Sequence, residues 1–175
     1  EACEHLRQAG FELKEVAVLE DFQEVAERHR RLVAAEAFRA HGHLLTPYGD
    51  TFHPKTLELL ETGRKISDEK LDEARDGRGP LARRLTETLR HAGADLWLTP
   101  AAPGPAPRGI SSTGNPIMNL PFTHAGVPTL VIQDNTDRGR EDRLPTGLQL
   151  AGELGSDERL PAWGRAVAQA LETFP

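Results

Sequence analysis

Ser111-Ser112-Thr113-Gly114 places three hydroxyls beside a glycine, where a neighbouring base would turn one of them into a nucleophile. The sequence has no Gly-x-Ser-x-Gly elbow to hold such a serine on a strained turn, so these hydroxyls read as partners for the loop backbone. His41, His43 and His53, with Asp50 between them, are of the residue types zinc accepts, but the spacing is loose and they read as surface histidines. His124 stands alone in a proline-rich stretch and reads as a packing or hydrogen-bonding residue. The single cysteine, Cys3, has no local histidine and reads as an inert thiol. Neither phosphate-binding glycine pattern occurs, and Gly104, Gly109 and Gly114 are separated by prolines. None of the lysines (Lys14, Lys55, Lys65, Lys70) adjoins a serine. The acidic runs Glu12/Glu15/Glu20 and Asp68/Glu69/Asp72/Glu73, like Arg28/Arg30/Arg31, read as solvated faces. Residue types and spacing therefore give no complete catalytic set, no metal site and no cofactor site.

The elements around these residues follow from periodicity. Residues 1–9 read as a helix stopped by Gly10, and Phe11–Leu19 alternates apolar and polar residues as a half-buried strand does. Asp21 opens a long helix in which Phe22, Val25, Leu32, Val33 and Ala37 recur at helical spacing up to His41-Gly42-His43. Thr46–Pro54 reads as a loop. Pro54 then starts a helix that Gly63 closes, and Ser67 caps the next one, which resumes after Gly77–Pro80 and runs to Gly93. Leu96–Leu98, Thr129–Ile132 and Leu144–Leu154 read as strands. A last helix follows Ser156 and starts near Leu160, because Pro161 sits late for a first turn. Residues 100–128 hold seven of the 13 prolines, and their apolar members Ile117, Met118, Leu120, Phe122 and Val127 predict an ordered loop. The alternation predicts an α/β fold, with layered helices around a mixed β-sheet, in a single partial domain over residues 1–175.

Composition sets outer bounds. The chain has 175 residues, 38% of them hydrophobic, so it can bury a core, and no apolar run approaches a membrane span. Net charge is −6, and residues 93–175 carry six basic against nine acidic side chains, so neither half is a nucleic-acid or membrane-binding surface. The lone cysteine and the acidic balance predict a cytoplasmic protein. Met118 is the only methionine, and residues 1–9 are not a signal peptide. The expectation is a processed chain or a piece of a longer one.

Four blocks in order carry a resemblance: Asp95–Ala102 (DLWLTPAA), Thr113-Gly114, Met118–Pro128 (MNLPFTHAGVP) and Leu144–Gly152 (LPTGLQLAG). They resemble the C-terminal part of the amidase signature family. Gly10 with the run to Leu19, and Lys65-Ile-Ser-Asp68, resemble its middle region more loosely. The resemblance implies that Thr113, Asn119 and Thr123 supply polar groups to a cleft loop at about 100–128. It also implies that Gly126-Val127-Pro128 turns the chain into a buried strand, with Leu144–Gly152 running beside it. Where the family continues with a strand ending in Pro-x-Gly, this chain reads Gln133-Asp134-Asn135.

That family cleaves carboxylic amides to acid and ammonia or amine with a Ser–cis-Ser–Lys triad, and glycine-rich backbone amides bind the oxyanion. Those parts lie in a Gly-Gly-Ser-Ser-Gly-Gly-Ser type of segment in its N-terminal half, and no such segment occurs here. The resemblance therefore implies a C-terminal portion whose catalytic half lies outside this chain, inactive alone. Its expected partners are that half or a second copy, plus a small amide substrate. Alternatives are a non-catalytic binding or regulatory module of the same fold, or the amidase subunit of a tRNA-dependent amidotransferase. The last ranks below a stand-alone amidase, because the block expected to carry an Asp and Tyr-Thr reads Pro116-Ile117-Met118-Asn119.

Overall fold

A computed structural model describes residues 1–134 and 144–172. The chain packs as two compact units, Asp21–Pro80 and a second made of Glu1–Glu20 with Leu81–Pro175. The first is mainly helical, and the second combines helices with a small three-stranded antiparallel sheet.

In the Asp21–Pro80 unit the long helix α2 (Phe22–His41) packs against α4 (Pro54–Arg64) and α5 (Asp68–Asp76). Its core is made of small and aliphatic side chains, among them Val25, Ala26, Ala34, Leu60 and Leu71. Alanines on α2 let α4 approach closely, and at Gly63 a Cβ would overlap the carbonyl oxygen of Ala34. Gly63 is thus inside α4, which ends one residue later. Ser67 caps α5 as its sequence predicts, its Oγ accepting from the Lys70 amide at 3.3 Å. On the surface Arg75 donates to Glu36 Oε1 at 2.9 Å and to Asp72 Oδ1 at 3.3 Å, and Arg39 pairs with Asp68. The hydrogen bond to Glu36, with Asp72 adding, holds the Arg75 guanidinium above its ordinary pKa. The expected loop at Thr46–Pro54 is instead mostly helical, with α3 (Leu45–Tyr48) and a 3-10 turn at Gly49–Thr51. Pro47 does not prevent this, because the first turn of a helix has no use for its missing N–H.

The other unit holds α1 (Ala2–Gln8), α6 (Arg78–Ala92) from Leu81 onward, β1 (Trp97–Pro100), α7 (Leu120–Ala125), β2 (Thr129–Asp134), β3 (Thr146–Ala151) and α8 (Leu160–Glu172). The strand order is β1-β3-β2, and both pairings are antiparallel, so the described sheet is not the mixed one expected. In register, Leu98, Leu150 and Leu130 form one cross-strand row, while Thr99, Gln149 and Val131 form the next, on the opposite face. The leucine face joins Leu6, Leu160, Val167 and Leu171 in the core. β2 does follow Gly126-Val127-Pro128 and does run beside β3, but as an edge strand in which only Ile132 is buried.

Phe11–Leu19 forms no strand. Alternation creates a half-buried face, but a strand also needs a neighbour to take its backbone groups, and no described strand pairs with it. Near α8, Ser156 turns its Oγ to the Glu153 carbonyl at 2.8 Å, and its own carbonyl accepts from the Leu160 amide at 3.0 Å. The helix begins at Leu160, with Pro161 inside the first turn. Glu153 accepts from Arg90 at 2.9 Å and from Arg159 at 3.1 Å. The Arg90 bond chiefly, with Arg159 adding and burial opposing, holds its carboxyl below the usual carboxylate range.

Candidate functional site

The proline-rich stretch after β1 arches over the sheet face that carries Val131 and Gly147 and encloses a cleft of about 740 Å³. One wall is Ala101–Pro107, a second is Thr113–Pro116 with Asn119, and the floor is β2 and the start of β3. Gly147 belongs to that floor, where a Cβ would meet Val131 Cγ1 at 2.9 Å and the Ile132 carbonyl at 3.2 Å. Every described residue lining the cleft is uncharged. Its polar groups are carboxamides (Asn115, Asn119, Gln133) and hydroxyls (Thr113, Thr146).

Local hydrogen bonds set the wall. Asn115 Oδ1 accepts from the Ile117 amide at 3.1 Å and starts a 3-10 turn at Pro116–Met118, which ends with the Asn119 amide bonded to the Pro116 carbonyl at 2.9 Å. Asn119 then begins α7, its carbonyl accepting from the Thr123 amide at 2.9 Å. Gly126 ends α7 at φ 72°, a left-handed position that suits glycine. The ordering expected for residues 100–128 holds from Ile117 onward, where Leu120, Phe122 and Val127 are buried, while 102–116 is exposed.

Thr113 and Asn119 both line the cleft, Thr113 exposed and Asn119 half-buried. Thr123 sits exposed on α7 and is not part of the cleft lining. Ser112 Oγ accepts from the Gly114 amide at 3.1 Å, the backbone role its sequence suggested. His124 is fully buried. His53 Nδ1 accepts from the Lys55 amide at 3.2 Å at the start of α4, so this histidine serves as a helix cap. Among the described residues no three His, Cys, Asp or Glu side chains gather as metal ligands. The turn expected at Asp134–Arg143, with Asn135, lies outside the described residues.

Gln149 went unnoticed in the sequence. It is 1% exposed, on the middle strand, and its Nε2 donates to Thr99 Oγ1 at 3.2 Å and to the Met118 carbonyl at 3.3 Å. One side chain thus ties β3 to β1 and to the turn that presents Asn119. The signal was there: in Leu148-Gln149-Leu150 a glutamine interrupts a buried strand and must point to the face opposite the leucines. A buried carboxamide needs partners, and β1 and the turn before α7 supply them.

This geometry has relatives among solved structures. A crystal structure described as an amidase is 30% identical, with 96% of this chain and 38% of that one aligned at a TM-score of 0.76. A fatty acid amide hydrolase aligns over 97% of this chain and 35% of its own, at 19% identity and a TM-score of 0.80. A bacterial aryl acylamidase of the amidase signature family aligns over 99% of this chain and 41% of its own, at 14% identity and a TM-score of 0.67. This chain has part of the amidase signature fold. It spans about two fifths of the length of the amidase signature structures it matches. No model of a protein family matches the sequence, and no curated protein does. Among the described residues no helix is long and apolar enough to cross a membrane.

Proposed function

We propose that this chain forms one wall of the substrate cleft of an amide hydrolase, whose serine nucleophile and lysine are supplied by residues outside it. The observation that carries this reading is a cleft whose described lining is uncharged and rich in carboxamides, on a fold segment 30% identical to an amidase. A neutral amide matches such walls. Carboxamide and hydroxyl groups hydrogen-bond its carbonyl and N–H, and no buried charge has to be neutralised first. Asn119 and Thr113 orient the scissile amide, and Gln149 holds the Asn119 turn against the sheet. The reaction adds water across the C–N bond, giving an acid and an amine or ammonia, with proton transfers carried by the partner's residues.

The test mixes the purified chain with the portion of the 30%-identical amidase that it does not match, and follows ammonia release from simple carboxamides. Each part alone should be silent and the mixture active. Steady turnover by this chain alone would sink the reading. In the active mixture Asn119→Ala should lower kcat/KM by roughly 3–10-fold, the worth of one uncharged hydrogen bond. Thr123→Ala reports whether the substrate reaches beyond the cleft to α7.

A further inference from the structure

The cleft is two-sided in its polarity. The Ala101–Pro107 wall has no polar side chain, being built of alanines and prolines around Gly104. The second wall carries Thr113, Asn115 and Asn119. The apolar wall is anchored to the floor, where the Ala101 amide donates to the Gly147 carbonyl at 2.9 Å. A Cβ on Gly147 would lie 2.9 Å from Val131 Cγ1 and 3.3 Å from Ala101 Cβ, so wall and floor converge there in an apolar corner. The two walls also touch, since Pro107 Cδ lies 3.6 Å from where a Cβ on Gly114 would stand. Prolines fix their own φ and restrict the residue before them, so the apolar wall is set before anything binds. Val131 is 55% exposed, and of the large exposed apolar side chains described it alone lines the cleft. Opposite in character, Asn119 spends no side-chain bond on capping α7.

We infer that the cleft takes amides bearing an uncharged apolar chain, and that Val131 sets this preference. The chain lies against Val131 and the Ala101–Pro107 wall, and the amide group lies on the wall of Thr113 and Asn119. A charged chain would give up its water to a wall that returns no hydrogen bond. An apolar chain gains about fourfold in affinity for each methylene taken out of water. The inference rests on the proposed function for the amide, but binding is read separately from turnover.

The experiment titrates the purified chain with amides and follows the Val131 methyl and Asn119 carboxamide signals by NMR. The probes are acetamide, isocaproamide with a branched chain on the acyl side, and N-isopentylacetamide with that chain on nitrogen. Succinamate matches isocaproamide in shape but ends in a carboxylate. At least one branched amide should bind about tenfold tighter than both acetamide and succinamate, and the tighter one names the side of the amide that the wall takes. Val131→Thr keeps shape and strand propensity, and should weaken that amide roughly fourfold more than it weakens acetamide. Ala106→Asp puts a charge on the apolar wall and should remove the preference, while Asn119→Ala should weaken all the amides alike. Val131 and Ala106 are exposed, and unchanged urea midpoints confirm that both variants fold. Equal binding of all four probes, no shift at Val131, or a preference that survives both variants overturns the inference. A preference in the chain whose amidase mixture stays inactive removes the proposed function and leaves this one standing. Turnover in that mixture that is blind to the chain does the reverse.

Discussion

The Asp21–Pro80 unit and the sheet-bearing unit solve different problems. In the first, α2, α4 and α5 each satisfy their own backbone and meet through small side chains, with Gly63 seated on Ala34 and arginine–carboxylate pairs outside. In the second, three strands depend on pairings such as Thr99 with Gln149, fifty positions apart, and both outer edges are open among the described strands. The second unit also carries the cleft, a fully exposed Ile110 and the unpaired 12–19 segment. A helical unit can be finished locally. A sheet is finished only when its last edge is covered, and among the described strands both edges of this one are open.

The largest test is in the sheet. Leu150 is fully buried on the central strand between Leu98 and Leu130, so Leu150→Ala should destabilise by about 3–5 kcal/mol through lost burial and a residual cavity. Urea unfolding reads the loss, and hydrogen exchange should place it in β1, β2 and β3. A cost below about 1 kcal/mol would mean that the leucine row is not what holds the three strands, and the contrast between the units would fail.

A smaller effect is expected in the helical unit, with a diagnostic sign. Replacing a glycine by alanine inside a helix ordinarily stabilises by about 0.5–1 kcal/mol. Gly63→Ala should instead destabilise by about 1–3 kcal/mol, because the new methyl meets backbone that cannot turn aside. A rise in the urea midpoint would show that α2 and α4 separate at little cost, and would sharpen the contrast in the opposite direction.

How much could be seen in advance divides along the same line. The long helix from Asp21, the Ser67 cap and the start at Leu160 are legible because period, capping residue and proline placement are local signals. β1, β2 and β3 are legible as short apolar runs between breakers, but their antiparallel order is not, since nothing local says which edges meet. Phe11–Leu19 reads as a strand and is not one, because its pattern describes burial and the structure offers no ladder partner. Thr46–Pro54 misleads because proline and glycine are turn residues in general but harmless in a first helical turn. In the site, Thr113, Asn119 and Thr123 come from the resemblance; the first two line the cleft and Thr123 does not. Gln149 shows its role only once the strand and the turn above it are known to meet.

The smallest effect concerns pH and belongs to the helical unit. His29 lies buried on α2, and desolvation first, then the nearby charges of Arg30 and Arg78, lowers its pKa from the ordinary 6.5. The folded state therefore favours the neutral ring. Above pH 6.5 the ring is neutral in both states and imposes no penalty. As pH falls through 6.5 the unfolded chain takes up a proton that the folded chain resists, so stability declines until the lowered pKa is reached. Each tenfold difference in proton affinity between the states is worth about 1.4 kcal/mol. The urea midpoint should thus drop between pH 7 and pH 5.5, and His29→Gln, which cannot titrate, should reduce that drop. If the variant and the parent decline in parallel, the ring is protonated without penalty. The tight helical packing would then tolerate a charge, and the view of this unit as locally complete would need revision.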